Sequence, residues 1–124
     1  MPVPRITKEE LRERLDAPDT APRPVLVDAR LKYPYEHSSV RLPGAIRVMP
    51  DPLDVPSIPS GRDIVVYDSD PDEITSRRVA AELIRRGHRA AALKGGISEW
   101  VTANFPVEPK GTAGPSPGAA GSSS

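Results

Sequence analysis

The stretch Ile64-Val65-Val66-Tyr67-Asp68-Ser69-Asp70-Pro71-Asp72-Glu73 decides the fold, because an apolar run ends there in a cluster of carboxylates. The run from 64 to 67 fits a fully buried strand, and a helical pattern begins directly after the acidic loop. A loop that connects a strand to a helix N-terminus presents free backbone N–H groups, and the helix dipole favours an anion there. In this chain the loop carries its own anions, four carboxylates in six residues.

The helix after this loop is predicted from its apolar spacing and its boundaries. We expect Asp72 to be its N-cap and Gly87 to end it. Thr75 and Ser76 would then lie in its first turns. Four apolar residues at helical spacing predict the buried face: Val79, Ala80, Leu83 and Ile84.

Strands alternate with helices on both sides of this centre. A strand is predicted at residues 25–27, ending at Asp28, and another at residues 90–93, ending at Lys94. An α/β fold with a central, mainly parallel sheet flanked by helices follows from this order. Because functional crevices in such sheets lie beyond the carboxyl ends of the strands, we expect Asp28, Asp68 and Lys94 to lie at one edge.

The remaining segments are predicted from caps, prolines and glycines. Thr7 and Glu10 form a capping box for a first helix with Leu11 and Leu15 on its apolar side, stopped by Pro18. We expect a long loop over residues 33–44 and a short strand at 45–48. Pro50, Pro52, Pro56 and Pro59 allow only brief helical turns before the central strand. A last helix begins at Ile97, and Trp100 packs it on the sheet.

The composition excludes several classes of function. Lys+Arg and Asp+Glu are both 17, so the formal net charge is +0 and neither nucleic acid nor an anionic membrane is an expected partner. No stretch has the length of a membrane span, and we expect a soluble, cytoplasmic protein without a cofactor. The chain has no cysteine, which excludes disulfides, thiolate catalysis and cysteine-ligated zinc. Residues 1–108 are expected to form one domain, and residues 109–124, rich in Gly, Pro, Ser and Ala, a disordered tail.

Several segments occur together in an order and spacing that resemble the rhodanese homology domain. They are Leu26-Val27-Asp28-Ala29-Arg30, Leu42-Pro43-Gly44-Ala45-Ile46, the strand at 64–67, Leu93-Lys94-Gly95-Gly96-Ile97-Ser98-Glu99-Trp100 and Phe105-Pro106-Val107-Glu108. That domain is the fold of single-domain sulfurtransferases and of their relatives among dual-specificity phosphatases. The resemblance covers roughly residues 5–108 and implies a three-layer α/β fold.

The resemblance also implies a site at which this chain departs from the family. Active members carry the persulfide on a cysteine directly after the central strand, and Asp68 stands at that position. One subgroup has Cys-x-Cys-Pro-Asn-Glu there, which places Asp70 at its second cysteine and Asp72 at its asparagine. The loop that resembles the active site continues through Ser69, Pro71, Glu73, Ile74 and Thr75. A carboxylate cannot hold a persulfide or form a phosphocysteine, so we expect neither sulfurtransferase nor phosphatase activity.

The leading hypothesis is therefore a catalytically inactive module for binding or regulation, with an unidentified protein partner. In this hypothesis the loop from Asp68 to Glu73 presents an acidic surface. The expected contact residues beside it are Asp28, Arg30, Tyr33 and Tyr35. The competing interpretation gives Asp28 and Arg30 a structural role in the loop after the first buried strand.

Asp68 itself has three further interpretations. In the first, its carboxylate accepts hydrogen bonds from loop N–H groups that a thiolate would otherwise meet. In the second, Asp68, Asp70 and Asp72 supply oxygen ligands to a divalent cation, alone or in a metal-assisted enzyme, although Pro71 interrupts a calcium-loop pattern. In the third, the Asp-x-Asp sequence belongs to a phosphotransferase that forms an aspartyl-phosphate.

Overall fold

A computed structural model describes residues 3–17, 23–50, 52–58, 61–70 and 72–110 of the 124-residue chain. Predictions that involve Pro18, Pro59, Pro71 or the tail segment 111–124 lie outside the described residues. Within the part that is described, no helix is long and apolar enough to cross a membrane.

The centre of the fold is a five-stranded sheet in which every pairing is parallel. In spatial order its strands are β1 (Arg5–Ile6), β8 (Arg89–Leu93), β7 (Asp63–Tyr67), β2 (Val25–Asp28) and β4 (Ile46–Arg47). Two small antiparallel pairs join β3 (Val40–Arg41) to β9 (Glu108–Pro109), and β5 (Met49–Pro50) to β6 (Leu53–Asp54). The helices are α1 (Lys8–Asp16), α2 (Lys32–Glu36), α3 (Ile74–Arg85) and α4 (Gly96–Thr102). The predicted α/β fold with a parallel central sheet is confirmed.

Side chains of the central strands alternate between two cores, which makes the fold three layers thick. Ile64 and Val66 of β7 pack in one cluster with Leu83 of α3. Val65 and Tyr67 point to the opposite face, where Leu11 of α1 and Trp100 of α4 lie. Because successive side chains of the strand point to opposite faces, helices pack on both faces of one sheet.

Trp100 anchors the last helix, as the sequence predicts. Its side chain is fully buried, and its Nε1 donates a hydrogen bond of 2.7 Å to the carbonyl of Pro106. The ring of Phe105 meets it edge-on, with the centroids 5.0 Å apart. The capping box of Thr7 and Glu10 is also present at the start of α1.

The proline-rich first half contains more regular structure than the sequence predicts. The expected loop over 33–44 includes α2, in which Pro34 occupies the first turn, where its missing N–H costs little. The expected helical turns after Pro50 are replaced by the β5–β6 pair, whose two-stranded edge tolerates proline. The short strand expected at 45–48 contracts to β4. Since β9 spans Glu108–Pro109, a strand crosses the predicted domain boundary.

Candidate functional site

The carboxyl edge of the sheet brings the expected residues together, but in different environments. Asp28 ends β2, Asp68 follows β7, and Lys94 follows β8. The first two are buried, each with a relative exposure of 1%, whereas Lys94 is exposed. Because β2 and β7 are neighbours, with Asp28 opposite Tyr67 in the register, the buried carboxylates lie on adjacent strands.

Asp68 uses both carboxylate oxygens to accept backbone hydrogen bonds. Oδ1 accepts from the N–H of Asp70 at 2.9 Å, and Oδ2 accepts from the N–H of Ser76 at 2.6 Å. Its backbone carbonyl accepts from the N–H of Ile97 at 2.9 Å. Asp68 therefore joins the end of β7 to the first turn of α3 and to the start of α4. These contacts support the interpretation in which this carboxylate satisfies loop N–H groups.

Asp68 also supplies the cap that α3 does not obtain locally. The predicted N-cap was Asp72, and this prediction was wrong: the N-cap is Glu73, and its side chain makes no capping hydrogen bond. Glu73 has φ 60°, in the left-handed region, so its side chain is turned away from the helix start. The Asp68 carboxylate takes the N–H of Ser76, the third residue of the helix, which an N-cap side chain would ordinarily accept.

Glu73 is held in this conformation by two distant segments. Its carboxylate accepts from Arg5 of β1 through Nε at 2.6 Å and Nη2 at 2.8 Å, in a bidentate pair. The N–H of Gly95 donates to the same carboxylate at 3.3 Å. Because the Glu73 side chain is buried, this pairing offsets both its desolvation and the unfavourable backbone conformation.

Gly96 makes room for the backbone of Asp68. A Cβ atom added at Gly96 would lie 2.4 Å from the Asp68 carbonyl oxygen and 3.4 Å from its Oδ1. Gly96 also has φ 62°, a conformation that side chains disfavour. The Gly95-Gly96 turn thus permits α4 to begin directly against the acidic loop.

The two buried acids of the loop differ in their titration. Burial raises the pKa of Asp68 above its ordinary value, and the N–H groups of Ser76 and Asp70 oppose that shift. The hydrogen bonds from Arg5 lower the pKa of Glu73 below its ordinary value, against the opposing effect of burial. Only Glu73 has a cation as its direct partner.

These contacts leave a much smaller acidic surface than the sequence predicts. Asp68 and Glu73 are buried, and Asp70, partly buried, accepts the N–H of Asp72 on its Oδ1 at 2.9 Å. Of the four carboxylates, only Asp72 is exposed. Across the described residues, no group of three or more His, Asp or Glu side chains is arranged to hold a metal ion.

Asp28 and Arg30 pair with each other inside the protein. Nη2 of Arg30 lies 2.7 Å from Oδ2 of Asp28, and it also donates to the Val40 carbonyl at 3.0 Å. Both side chains are buried, so they cannot themselves touch a partner, and the structural interpretation of this pair fits. The exposed part of the predicted contact set is Tyr33, while Tyr35 is partly buried.

Arg47 also supports this region, and the sequence analysis did not identify it. Its guanidinium carbon lies 3.9 Å from the centre of the Tyr35 ring, and its Nη1 donates to the Arg30 carbonyl at 2.6 Å. Its place at the end of β4 was a usable signal, because this end joins the same sheet edge. No comparable local signal marks Arg5, which lies 68 residues from Glu73.

The comparisons with known proteins agree with this architecture. The chain matches the rhodanese-like domain family over residues 7–103, and it belongs to that family. No curated protein matches the chain.

Similar solved structures come from several bacteria. A Bacillus halodurans protein has a TM-score of 0.69 at 19% identity, covering 85% of this chain and 76% of that one. A Rhodopseudomonas palustris protein of unknown function, described as a possible tyrosine phosphatase, has 0.67 at 20% identity, covering 86% and 85%. A rhodanese-like domain protein from Staphylococcus aureus has 0.61 at 24% identity, covering 79% and 91%. At these identities the likeness shows the fold.

The close approach of Gly96 to Asp68 predicts an unequal effect of two glycine substitutions. Gly44 also has positive φ, but nothing lies within 4 Å of a Cβ added there. We expect Gly44→Ala to lower the free energy of unfolding by about 1–2 kcal/mol, the cost of a left-handed alanine. Gly96→Ala should cost clearly more, because its methyl group also collides with the Asp68 carbonyl. Urea unfolding of both variants measures the difference, and equal losses would contradict the close contact.

The Arg5–Glu73 pair predicts a pH-dependent contribution to stability. Since folding lowers the pKa of Glu73, its contribution is full above the ordinary value of 4.5 and is lost as the pH falls through the lower folded value. At pH 7, Glu73→Gln should lower the free energy of unfolding by about 1–3 kcal/mol.

Urea unfolding from neutral to acidic pH, with the original chain in parallel, tests this expectation. Other carboxylates titrate in both proteins and cancel in the difference. The difference in free energy of unfolding between the two proteins should disappear in acid. A difference that stays constant at all pH values would show that the charge of Glu73 is not involved.

Proposed function

We propose that this rhodanese-like domain transfers no sulfur and hydrolyses no phosphate ester, and that it acts as a protein-binding module. The observation that carries the first half is the Asp68 carboxylate, which lies after β7 with both oxygens bonded to loop and helix N–H groups. Sulfur transfer and phosphatase chemistry in this fold both require a thiolate at that place. The chain contains no cysteine that could provide one.

The occupied loop also opposes the binding of an anionic substrate. The N–H groups of Ser76 and Asp70 already have an acceptor in Asp68, at 2.6 Å and 2.9 Å. An incoming thiosulfate or phosphate would have to displace a carboxylate that is attached to the chain and buried. The protein's own anion thus takes the donors that the helix start offers to a ligand.

The binding half of the proposal is supported by the surface around the closed loop. Leu31, Tyr33, Met49 and Ile74 are large apolar side chains that remain exposed on the described surface. All four lie in segments that follow the carboxyl ends of β2, β4 and β7. Exposed apolar side chains gathered in one region are typical of an interaction surface. In this proposal the carboxyl edge of the sheet offers a surface for a protein partner, although it lacks the thiol for sulfur transfer or phosphatase chemistry.

Asp68→Cys tests whether the thiol is the missing component. After treatment with thiosulfate, mass spectrometry should show one added sulfur atom on Asp68→Cys: the N–H groups of Asp70 and Ser76 would then meet a thiolate, which takes the outer sulfur of thiosulfate as its S–S bond breaks and sulfite leaves. Ser69→Cys, one residue further along the loop, is the matched control and should load far less. The original chain should show only background in a thiosulfate–cyanide assay.

Two outcomes would contradict the proposal. Clear turnover by the cysteine-free chain would exclude an inactive domain. Absence of sulfur on a folded Asp68→Cys protein would show that the loop no longer forms an anion cradle, so that Asp68 would not be occupying one. Circular dichroism and urea unfolding establish that the variant is folded.

A further inference from the structure

Met49 carries the one sulfur atom among the described residues. The full chain has two methionines and no cysteine, so no thiol competes with a methionine for an oxidant. Met49 begins β5, two residues after the end of β4, and has a relative exposure of 40%. A small oxidant dissolved in the solvent can therefore reach this side chain.

Arg47 holds a guanidinium group against this sulfur. Its Nη2 lies 3.8 Å from the sulfur of Met49, which is a weak acceptor. The other end of the group is fixed, because Nη1 donates to the carbonyls of Arg30 at 2.6 Å and Asp28 at 3.2 Å. The ring of Tyr35 packs on the face of the group, with its centre 3.9 Å from the guanidinium carbon. The donor beside the sulfur is therefore held in place from three sides.

The edge of Arg47 that faces Met49 lacks an oxygen acceptor. Nε and Nη2 form this edge, and among the described residues Nε has no hydrogen-bond partner, while Nη2 has only the thioether sulfur. Nε is buried, so Nη2 is the donor that a new acceptor can meet. Burial also lowers the pKa of Arg47, against the opposing effect of Asp28. An oxygen next to Nη2 would therefore compensate this cation better than sulfur does.

The acidic residue paired with Met49 does not fill this position. Asp54 lies opposite Met49 in the β5–β6 register and is exposed, and its carboxylate forms no ion pair with any cation of the described residues. In the same part of the chain, Asp28 is the one carboxylate within ion-pair distance of Arg47, and its Oδ1 lies 3.7 Å from Nη1. An oxygen atom added to the sulfur would therefore meet Nη2 without displacing a carboxylate.

We propose that Met49 is a site of reversible oxidation, at which hydrogen peroxide converts the thioether to a sulfoxide whose oxygen accepts a hydrogen bond from Arg47. The sulfur attacks one oxygen of the peroxide and loses two electrons as the O–O bond breaks. The attacked oxygen stays on the sulfur, its proton passes to the other oxygen, and water leaves. The product is polar and chiral, and methionine sulfoxide reductases return it to the thioether.

The fixed guanidinium group favours one of the two sulfoxide epimers. The epimers direct the oxygen to different sides of the sulfur, and Nη2 of Arg47 lies on one side. Each of the two kinds of methionine sulfoxide reductase acts on one epimer. Met49 is also one of the four exposed apolar side chains of the proposed binding surface, so its sulfoxide would make that surface more polar. The oxidation itself requires no protein partner.

Treatment of the full chain with dilute hydrogen peroxide tests this proposal, with peptide mapping by mass spectrometry and NMR of labelled methionine methyl groups as readouts. Met49 should gain one oxygen atom, and on the folded chain one epimer should exceed the other several-fold. In the chain unfolded in urea, the two epimers of Met49 should form in similar amounts, because Arg47 no longer lies beside the sulfur. One kind of reductase should then restore most of the thioether on the folded chain.

Urea unfolding measures whether the added oxygen has gained a partner. The oxidised chain should unfold at a urea concentration at least as high as the unoxidised chain does, because the sulfoxide oxygen accepts from Arg47. Met49→Gln and Met49→Leu form a matched pair without oxidation, since both side chains are similar to methionine in size and only glutamine presents an oxygen. Met49→Gln should unfold at a higher urea concentration than Met49→Leu.

Three outcomes would overturn the proposal. Equal amounts of the two epimers on the folded chain would show that Arg47 does not direct the oxygen. Unfolding at a lower urea concentration after oxidation would show that the oxygen has no favourable partner. A Met49 that remains a thioether while Met1 is fully oxidised would show that the peroxide does not reach the sulfur. The proposed binding function requires no oxidation and stands or falls separately.

Discussion

At the carboxyl edge of the sheet, two hydrogen bonds to the buried Asp68 carboxylate join the end of β7 to its loop and to the start of α3. Through the N–H groups of Asp70 and Ser76 they fix the loop after β7 and cap a helix whose own N-cap side chain points elsewhere. Burial makes the charged carboxylate costly, which is why the pKa of Asp68 is raised. The carboxylate remains there because N–H groups at a helix start need an acceptor, and the chain has no thiolate to offer.

The neighbouring interactions follow from this arrangement. Since Asp68 serves as the cap, Glu73 is free to turn into the protein and pair with Arg5 across the sheet. Gly96 has no side chain because α4 begins against the Asp68 carbonyl. Both features bury charged or polar groups, while the large apolar side chains of Leu31, Tyr33, Met49 and Ile74 remain exposed. The carboxyl edge of the sheet thus combines a loop that has no thiol with large apolar side chains that remain exposed.

Local signals predicted the centre of the fold well. The strand predicted over 64–67 is β7, which begins one residue earlier at Asp63; it was predicted closely because its apolar run and flanking turn residues are contiguous in sequence. The Asp68 position followed from the resemblance to the family. By contrast, the cap of α3 was assigned to Asp72, since a local rule cannot foresee a capping side chain that lies eight residues away. The pairing of Arg5 with Glu73 depends on the order of strands in the sheet, which no window of sequence contains.

A pH titration of the Asp68 side-chain carboxyl by carbon NMR tests the central claim most directly. We expect its midpoint to lie above the ordinary aspartate value of 3.8, and the amide protons of Asp70 and Ser76 to shift with the same midpoint. Both results require a buried carboxylate that accepts from those two amides. A midpoint at the ordinary value, with neither amide following it, would show a solvent-exposed carboxylate and an empty cradle.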